Sequence, residues 1–189
     1  SMAVSELNHM VDQWRASYGN AGDVSALSYG YKVITLLTGV VIVPLTTIMF
    51  SRMSRLVAEN DRRGILQIVR RSTVTIAMVM TPIIAICAVG NQDVIKALYL
   101  SGEFDLQSAA VTAGVFLFYV IGVLGFGLRD LLNRTFHAMQ DTRTTMYVSA
   151  GIVVANVILN SIFHALMGVR GLALATTVSG TGGMLVLFY

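Results

Sequence analysis

The chain has 189 residues, of which 55% are hydrophobic and only 12% charged, with a net charge of +3 and a mean hydropathy of +0.71. An average water-soluble domain carries roughly 25% charged residues, so most of this surface is built for a solvent other than water. Most of the basic residues flank apolar runs, where lipid headgroups lie, rather than forming one basic face, and nucleic-acid binding is set aside on that ground.

A helix needs about 20 residues to cross roughly 30 Å of hydrocarbon. Apolar blocks of that order fall near 3–18, 26–51, 72–98, 107–133, 145–167 and 171–189. They predict an all-α, polytopic integral membrane protein with about six transmembrane helices, residues 1–189 forming a single transmembrane unit. The first and last blocks are short. The chain opens on Ser1-Met2-Ala3 without the basic start of a signal peptide and stops inside the apolar run Met184–Tyr189, so it is expected to be an internal piece of a longer, transporter-like protein.

The first block holds Asp12 and Arg15, spaced i,i+3 on one helix face. Polar residues inside apolar blocks are costly in lipid and so face a partner or a cavity; the two readings here are a structural pair and a cavity-lining pair. Gly19-Asn-Ala-Gly22 then breaks the chain. The second block holds Lys32, about two turns and roughly 10 Å in from the turn by helical rise. A lysine at that depth either binds an anionic substrate in a water-filled cavity or snorkels to the outer interface. Pro44 in this block and Pro82 in the third each remove a backbone donor and are expected to bend their helices.

Between those blocks, 52–71 carries Arg52, Arg55, Arg62, Arg63, Arg70 and Arg71 interleaved with Leu56, Ile65, Leu66, Ile68 and Val69. That pattern suits a short amphipathic helix on the inner membrane face, or a solvated linker. Ser101-Gly102 marks the next break. The fourth block contains Gly122, Gly125 and Gly127 and the sixth Gly180, Gly182 and Gly183, all suited to close helix crossings. Arg129, Asp130 and Arg134 lie near the end of the fourth block, with Asp130 and Arg134 at i,i+4, and read as interface anchors. On the fifth, Asn156, Asn160 and His164 recur every four residues as a polar stripe, either bonding between helices or touching substrate. Gly168 to Gly171 forms the last break.

The arginines fall in the gaps 52–71 and 134–143, while the other three turns are nearly free of Lys and Arg. The positive-inside rule puts both basic gaps in the cytoplasm and the three poor turns on the opposite side. Catalytic signatures such as HExxH, GxSxG and the P-loop are missing from the sequence. His9, His137 and His164 show no metal spacing, and the single cysteine, Cys87, lies inside an apolar block. Neither an enzyme nor a metal or cofactor site is expected.

Four segments, taken together, carry a resemblance. Ala21-Gly-Asp-Val-Ser-Ala-Leu-Ser-Tyr-Gly-Tyr-Lys32, followed by Gly39-Val and by Phe50-Ser-Arg-Met-Ser-Arg55, resembles a characteristic region of the MurJ (MviN) lipid II flippases. Leu98-Tyr-Leu-Ser-Gly-Glu-Phe-Asp105, Leu132-Asn-Arg-Thr-Phe-His-Ala-Met-Gln-Asp-Thr-Arg-Thr144 and Gly171-Leu-Ala-Leu-Ala-Thr-Thr177 are similar to three further segments of that family, in the same order. The resemblance implies helices seven to twelve of the fourteen-helix, MATE-like fold of the multidrug/oligosaccharidyl-lipid/polysaccharide exporter superfamily. It implies a multi-pass protein of the bacterial cytoplasmic (inner) membrane that moves lipid II, the undecaprenyl-diphosphate-linked peptidoglycan precursor, by alternating access. Its partners would be that lipid, membrane lipids and the remaining helices of the same transporter.

By the same resemblance Lys32 stands where the family usually has a cavity arginine, keeping the charge but losing the planar fork suited to bidentate phosphate contact. Lys32 is therefore expected as headgroup ligand with Asp12 and Arg15 beside it, and Asn156, Asn160, Arg129, Asp130 and Arg134 as secondary residues. Phe50, Thr145 and His137 depart from the family's usual proline, proline and tyrosine. Those departures leave open a flippase for another polyprenyl-linked glycan, such as O-antigen or exopolysaccharide. A non-transporting membrane module that recruits a partner through the basic 52–71 segment is the reading from a different class.

Overall fold

The computed structural model describes the backbone of residues 2–19, 22–99 and 106–189, and their side chains except at 2–5 and 7. Among these residues the fold is all-helical: α1 (Met2–Ala16), α2 (Asp23–Leu37), a π-helical turn (Thr38–Ile42), α3 (Val43–Ala58), α4 (Arg62–Val89), α5 (Asn91–Tyr99), α6 (Leu106–Ala138), α7 (Thr142–Met167) and α8 (Val169–Phe188). The segments Asp23–Ala58, Arg62–Val89, Leu106–Ala138, Thr142–Met167 and Val169–Phe188 are long and apolar enough to cross a membrane. At 15 residues α1 is shorter than a full span. The expected break at Ser101-Gly102, and Asn20-Ala21 of the first turn, lie outside the described residues.

The two basic turns share one construction. At the end of α3 the Asp61 N–H donates to Leu56 O at 3.0 Å and the Asn60 N–H to Val57 O at 3.1 Å; at the end of α6 the Asp141 N–H donates to Phe136 O at 2.9 Å and the Gln140 N–H to His137 O at 3.1 Å. These are the paired bonds of a Schellman motif. Asn60 and Gln140 accordingly adopt φ of 54° and 61°. The aspartate that follows each caps the next helix: Asp61 accepts from the Gly64 N–H at 2.9 Å and Asp141 from the Thr144 N–H at 3.1 Å. The segment 52–71 is therefore not one short amphipathic helix. Its first residues continue α3 to Ala58 and its last begin α4 at Arg62, because Asn60-Asp61 supplies a strong stop and start between them.

Pro44 is accommodated by a local change of helix type. A proline ring clashes with the carbonyl four residues back and has no N–H to offer. The chain widens into the π turn Thr38–Ile42 immediately before it, with the Val43 N–H bonding Thr38 O, and α2 runs on into α3 through this bulge. Pro82 lies within α4, which continues on both sides of it.

The core is built around α6. Val115, Phe116, Tyr119, Val120, Val123 and Leu131 on this helix have 0% exposure, and α2, α3, α4, α5 and α8 pack on it. By contrast Met78 and Ile86 on α4 and Val154, Ile158 and Leu166 on α7 are exposed apolar side chains, as expected of faces turned to lipid. Small residues set the α6–α8 spacing: a Cβ on Gly122 would lie 2.7 Å from the Thr177 side chain and one on Gly125 2.6 Å from Thr181 Oγ1. Gly182 faces open space instead. Between α7 and α8, Gly168 has φ 62° and ψ −141°, a conformation open to glycine.

Candidate functional site

A cavity of ≈ 390 Å³ lies between α1, α2 with its π turn, α6 and α8. Its α2 wall is the stripe Tyr31, Thr35, Thr38 and Ile42, recurring at helical spacing on one face. The π turn contributes Thr38, Gly39 and Ile42, so the bulge that accommodates Pro44 also shapes the cavity. Aromatic rings line it in series: His9 stacks on Tyr31 with centroids 4.0 Å apart and planes at 16°, and Tyr31 meets Tyr119 edge-on at 6.0 Å.

One end of the cavity is closed by a buried polar network. Asp12 has 0% exposure and accepts from Asn160 Nδ2 at 2.6 Å and from the Thr176 hydroxyl at 2.5 Å. Asn160 Nδ2 also donates to Asn156 Oδ1 at 3.0 Å, and Asn156 Nδ2 donates to Thr176 Oγ1 at 3.0 Å. The result is a closed ring of donors around one carboxylate that ties α1, α7 and α8 together. Such a ring satisfies a charge or dipole that lipid could not solvate.

The other end carries Arg129 and Asp130. Arg129 is 9% exposed, lines the cavity and lies over the Phe126 ring at 5.9 Å. The expectation that it anchors at the interface is corrected by this burial: its side chain is turned to the cavity lining beside Phe126 rather than outward. Asp130 pairs with Arg134 at 2.9 Å, accepts from the Thr46 hydroxyl at 3.1 Å, and Arg134 reaches Thr47 Oγ1 at 3.3 Å. That i,i+4 pair clamps α6 to α3.

Of the residues expected to share a site, Asp12, Asn156 and Asn160 come together and Arg129 and Asp130 line the same cavity. Asp12 and Arg15 do not pair. Asp12 is held by α7 and α8, and Arg15 Nη2 donates to Ser161 Oγ at 2.5 Å. Lys32 is exposed on α2, outside this cavity, with its ammonium 5.4 Å from the Tyr29 ring centroid. His9, Tyr31, Tyr119 and Thr176 were not marked by the sequence. The spacing of Tyr31, Thr35 and Thr38 is the one signal that points to them; Thr176 sits in a run of small residues that reads as packing.

The sequence profile of the family described as lipid II flippase MurJ matches residues 1–189. The chain belongs to this MurJ family. Among curated relatives, a probable lipid II flippase MurJ of Rhizobium tropici is 26% identical over 98% of this chain and 34% of its own length. That of Thermotoga maritima is 26% identical over 99% and 38%. A solved lipid II flippase MurJ in an inward closed conformation superposes with TM-score 0.91 at 27% identity, covering 99% of this chain and 40% of that one. A MATE transporter in a bent conformation, TM-score 0.84 at 18% identity over 100% of this chain and 41% of its own, shows the fold shared with that group. The MurJ-family chain thus spans little more than a third of the curated relatives it matches.

Proposed function

We propose that the protein containing this chain moves lipid II from the inner to the outer leaflet of the bacterial cytoplasmic membrane by alternating access. The observation that carries the reading is the match to the MurJ family over the whole chain. In this reading the chain supplies one side of a central cavity and the remaining helices of the same transporter supply the other. No covalent chemistry is asked of it.

Lys32 is the proposed headgroup ligand. It is an exposed ammonium on a helix whose neighbours Val33 and Ile34 are buried, and a cation at that depth in a membrane is costly unless it faces water or an anion. A diphosphate meets that need by charge alone, without the bidentate geometry an arginine would add. Asp12 and Arg15 act as secondary residues that fix α1 against α7 and α8, beside the ligand rather than on it. The π turn and Pro82 are the proposed bending points of the moving helices.

A second reading, a flippase for another polyprenyl-linked glycan, is favoured by Lys32, Phe50, Thr145 and His137, where the chain departs from the family pattern. Complementation separates the readings. In a bacterium depleted of its own lipid II flippase, the full-length parent gene is expected to restore growth and Lys32→Ala to fail at equal membrane abundance. Failure of the wild type would point to the other glycan. Rescue by Lys32→Ala as well as by wild type would remove Lys32 from the proposed ligand role.

A further inference from the structure

The backbone that carries Lys32 is fixed by its neighbours. Ala26, Leu27, Val33 and Ile34 are buried on either side of it. A Cβ on Gly30 would lie 3.0 Å from Val115 Cγ1, so α2 is pressed onto α6 two residues before the lysine. What remains free is the side chain. A lysine's flexible stem has many rotamers, and gathering its ammonium into one place before a ligand arrives lowers the cost of binding that ligand.

Two aromatic rings are placed to do the gathering. Tyr29 lies three residues before Lys32 on the same helix face, and the Lys32 ammonium is 5.4 Å from the centroid of its ring, within cation–π range. The Tyr29 ring is met in turn by that of Tyr99, the last residue of α5, with centroids 4.7 Å apart and planes at 46°. Helix α5 packs on α6 and buries Ile95 completely, and Tyr99 rests against the same core. Support therefore runs from the core through Tyr99 to Tyr29 and from there to Lys32.

The chemistry of the holder matters as much as its place. The ion pairs among the described residues are Arg55–Glu59 and Arg134–Asp130, and Lys32 is in neither. A carboxylate would also hold the ammonium, but it would repel an incoming diphosphate and compete with it for the charge. An aromatic face attracts the cation without cancelling its charge, and it leaves N–H donors on the far side of the ammonium for a phosphate oxygen.

We propose that Tyr29 is a positioning residue for Lys32: its ring, backed by Tyr99, holds the ammonium in place for the diphosphate of the lipid substrate. The inference deepens the proposed function and rests on it, since it needs Lys32 as the headgroup ligand.

The test is a double-mutant cycle on the purified full-length parent protein, with the Kd for undecaprenyl diphosphate as the quantity read. Tyr29→Leu keeps apolar bulk and removes the ring, and is expected to raise Kd about twofold to fivefold, the order of an exposed cation–π contact. Tyr29→Phe restores the ring without the hydroxyl and is expected to rescue binding to the wild-type value. In a Lys32→Gln background, which binds more weakly from the start, adding Tyr29→Leu is expected to change Kd no further, because no ammonium is left to hold. An equal fold-loss from Tyr29→Leu in both backgrounds would make Tyr29 a packing residue and overturn the proposal, as would wild-type binding by Tyr29→Leu itself. If Lys32→Gln binds as tightly as wild type, the ligand role of Lys32 fails and the positioning role falls with it, an outcome distinct from the other two.

Discussion

At the scale of single residues, the partners of Asp12 show what helical spacing does and does not determine. Asp12 and Arg15 share a helix face, and an isolated helix would pair them for a few tenths of a kcal/mol. In the fold, Asn160 and Thr176 reach Asp12 from 148 and 164 residues away, and these bonds are made in surroundings where unmet donors are expensive. Asp12→Ala would leave the Asn160 amide and the Thr176 hydroxyl short of an acceptor. The expected cost is about 1–3 kcal/mol, read as a lower melting temperature of the detergent-solubilised full-length protein. Arg15→Ala, at the exposed Ser161 contact, should cost far less. The stripe Asn156–Asn160 was legible as a source of interhelical bonds because its period matches the helix. Its partners were not, since they lie on helices whose order in space the sequence does not state. Lys32 was legible as an outlier of charge, and Arg129 was misread because a residue near a helix end reads as an anchor whichever way its side chain points.

At the scale of elements, caps and glycines carry the clearest consequences. Asp141 is hydrogen-bonded first by the Thr144 side chain and then by the Thr144 backbone N–H, and these bonds hold its carboxyl below the usual carboxylate range. A folded-state value below the unfolded one means that the stabilisation is present above about pH 4 and is lost as pH falls through the lowered value. Melting followed from about pH 6 down to about pH 3 should therefore fall less steeply for Asp141→Asn, which caps without titrating, than for the wild type.

The glycines divide by what surrounds them. A Cβ at Gly171 would collide with the backbone carbonyl of Phe163, which cannot turn aside, whereas Gly182 faces open space. Gly171→Ala should separate α8 from α7 and lower the yield of folded protein, while Gly182→Ala should leave it unchanged; size-exclusion profiles of the two variants make the comparison. Neither outcome was readable from the sequence, where Gly171 reads as part of the last break and Gly182 groups with Gly180 and Gly183 as suited to crossings. The split of 52–71 between α3 and α4 had a visible cause in Asn60-Asp61, outweighed in the reading by the amphipathic pattern on either side. The π turn had half of one: Pro44 announces a disturbance, and a change of helix type is one of several ways to absorb it.

At the scale of the whole molecule, hydropathy and arginine placement made the all-helical membrane architecture legible, because lipid allows so few solutions to backbone hydrogen bonding. The cavity was not, since it is assembled from α1, α2, α6 and α8, which are adjacent in space and dispersed in sequence. Topology offers an independent check. With Cys87 replaced by serine, cysteines placed at Asn60 and Gln140 should react with a membrane-impermeant maleimide only from the cytoplasmic side, and one at the exposed Met167 only from the opposite side. Labelling of Asn60 and Gln140 from opposite sides would break the alternation from which the orientation was argued.

The proposed transport activity is tested most directly by measuring lipid II in the outer leaflet of spheroplasts depleted of their own flippase and expressing the full-length parent protein. Wild type and Lys32→Arg are expected to restore outer-leaflet lipid II, and Lys32→Ala to leave it in the inner leaflet at equal membrane abundance. Wild-type protein present in the membrane at normal abundance, with lipid II still confined to the inner leaflet, would contradict the account.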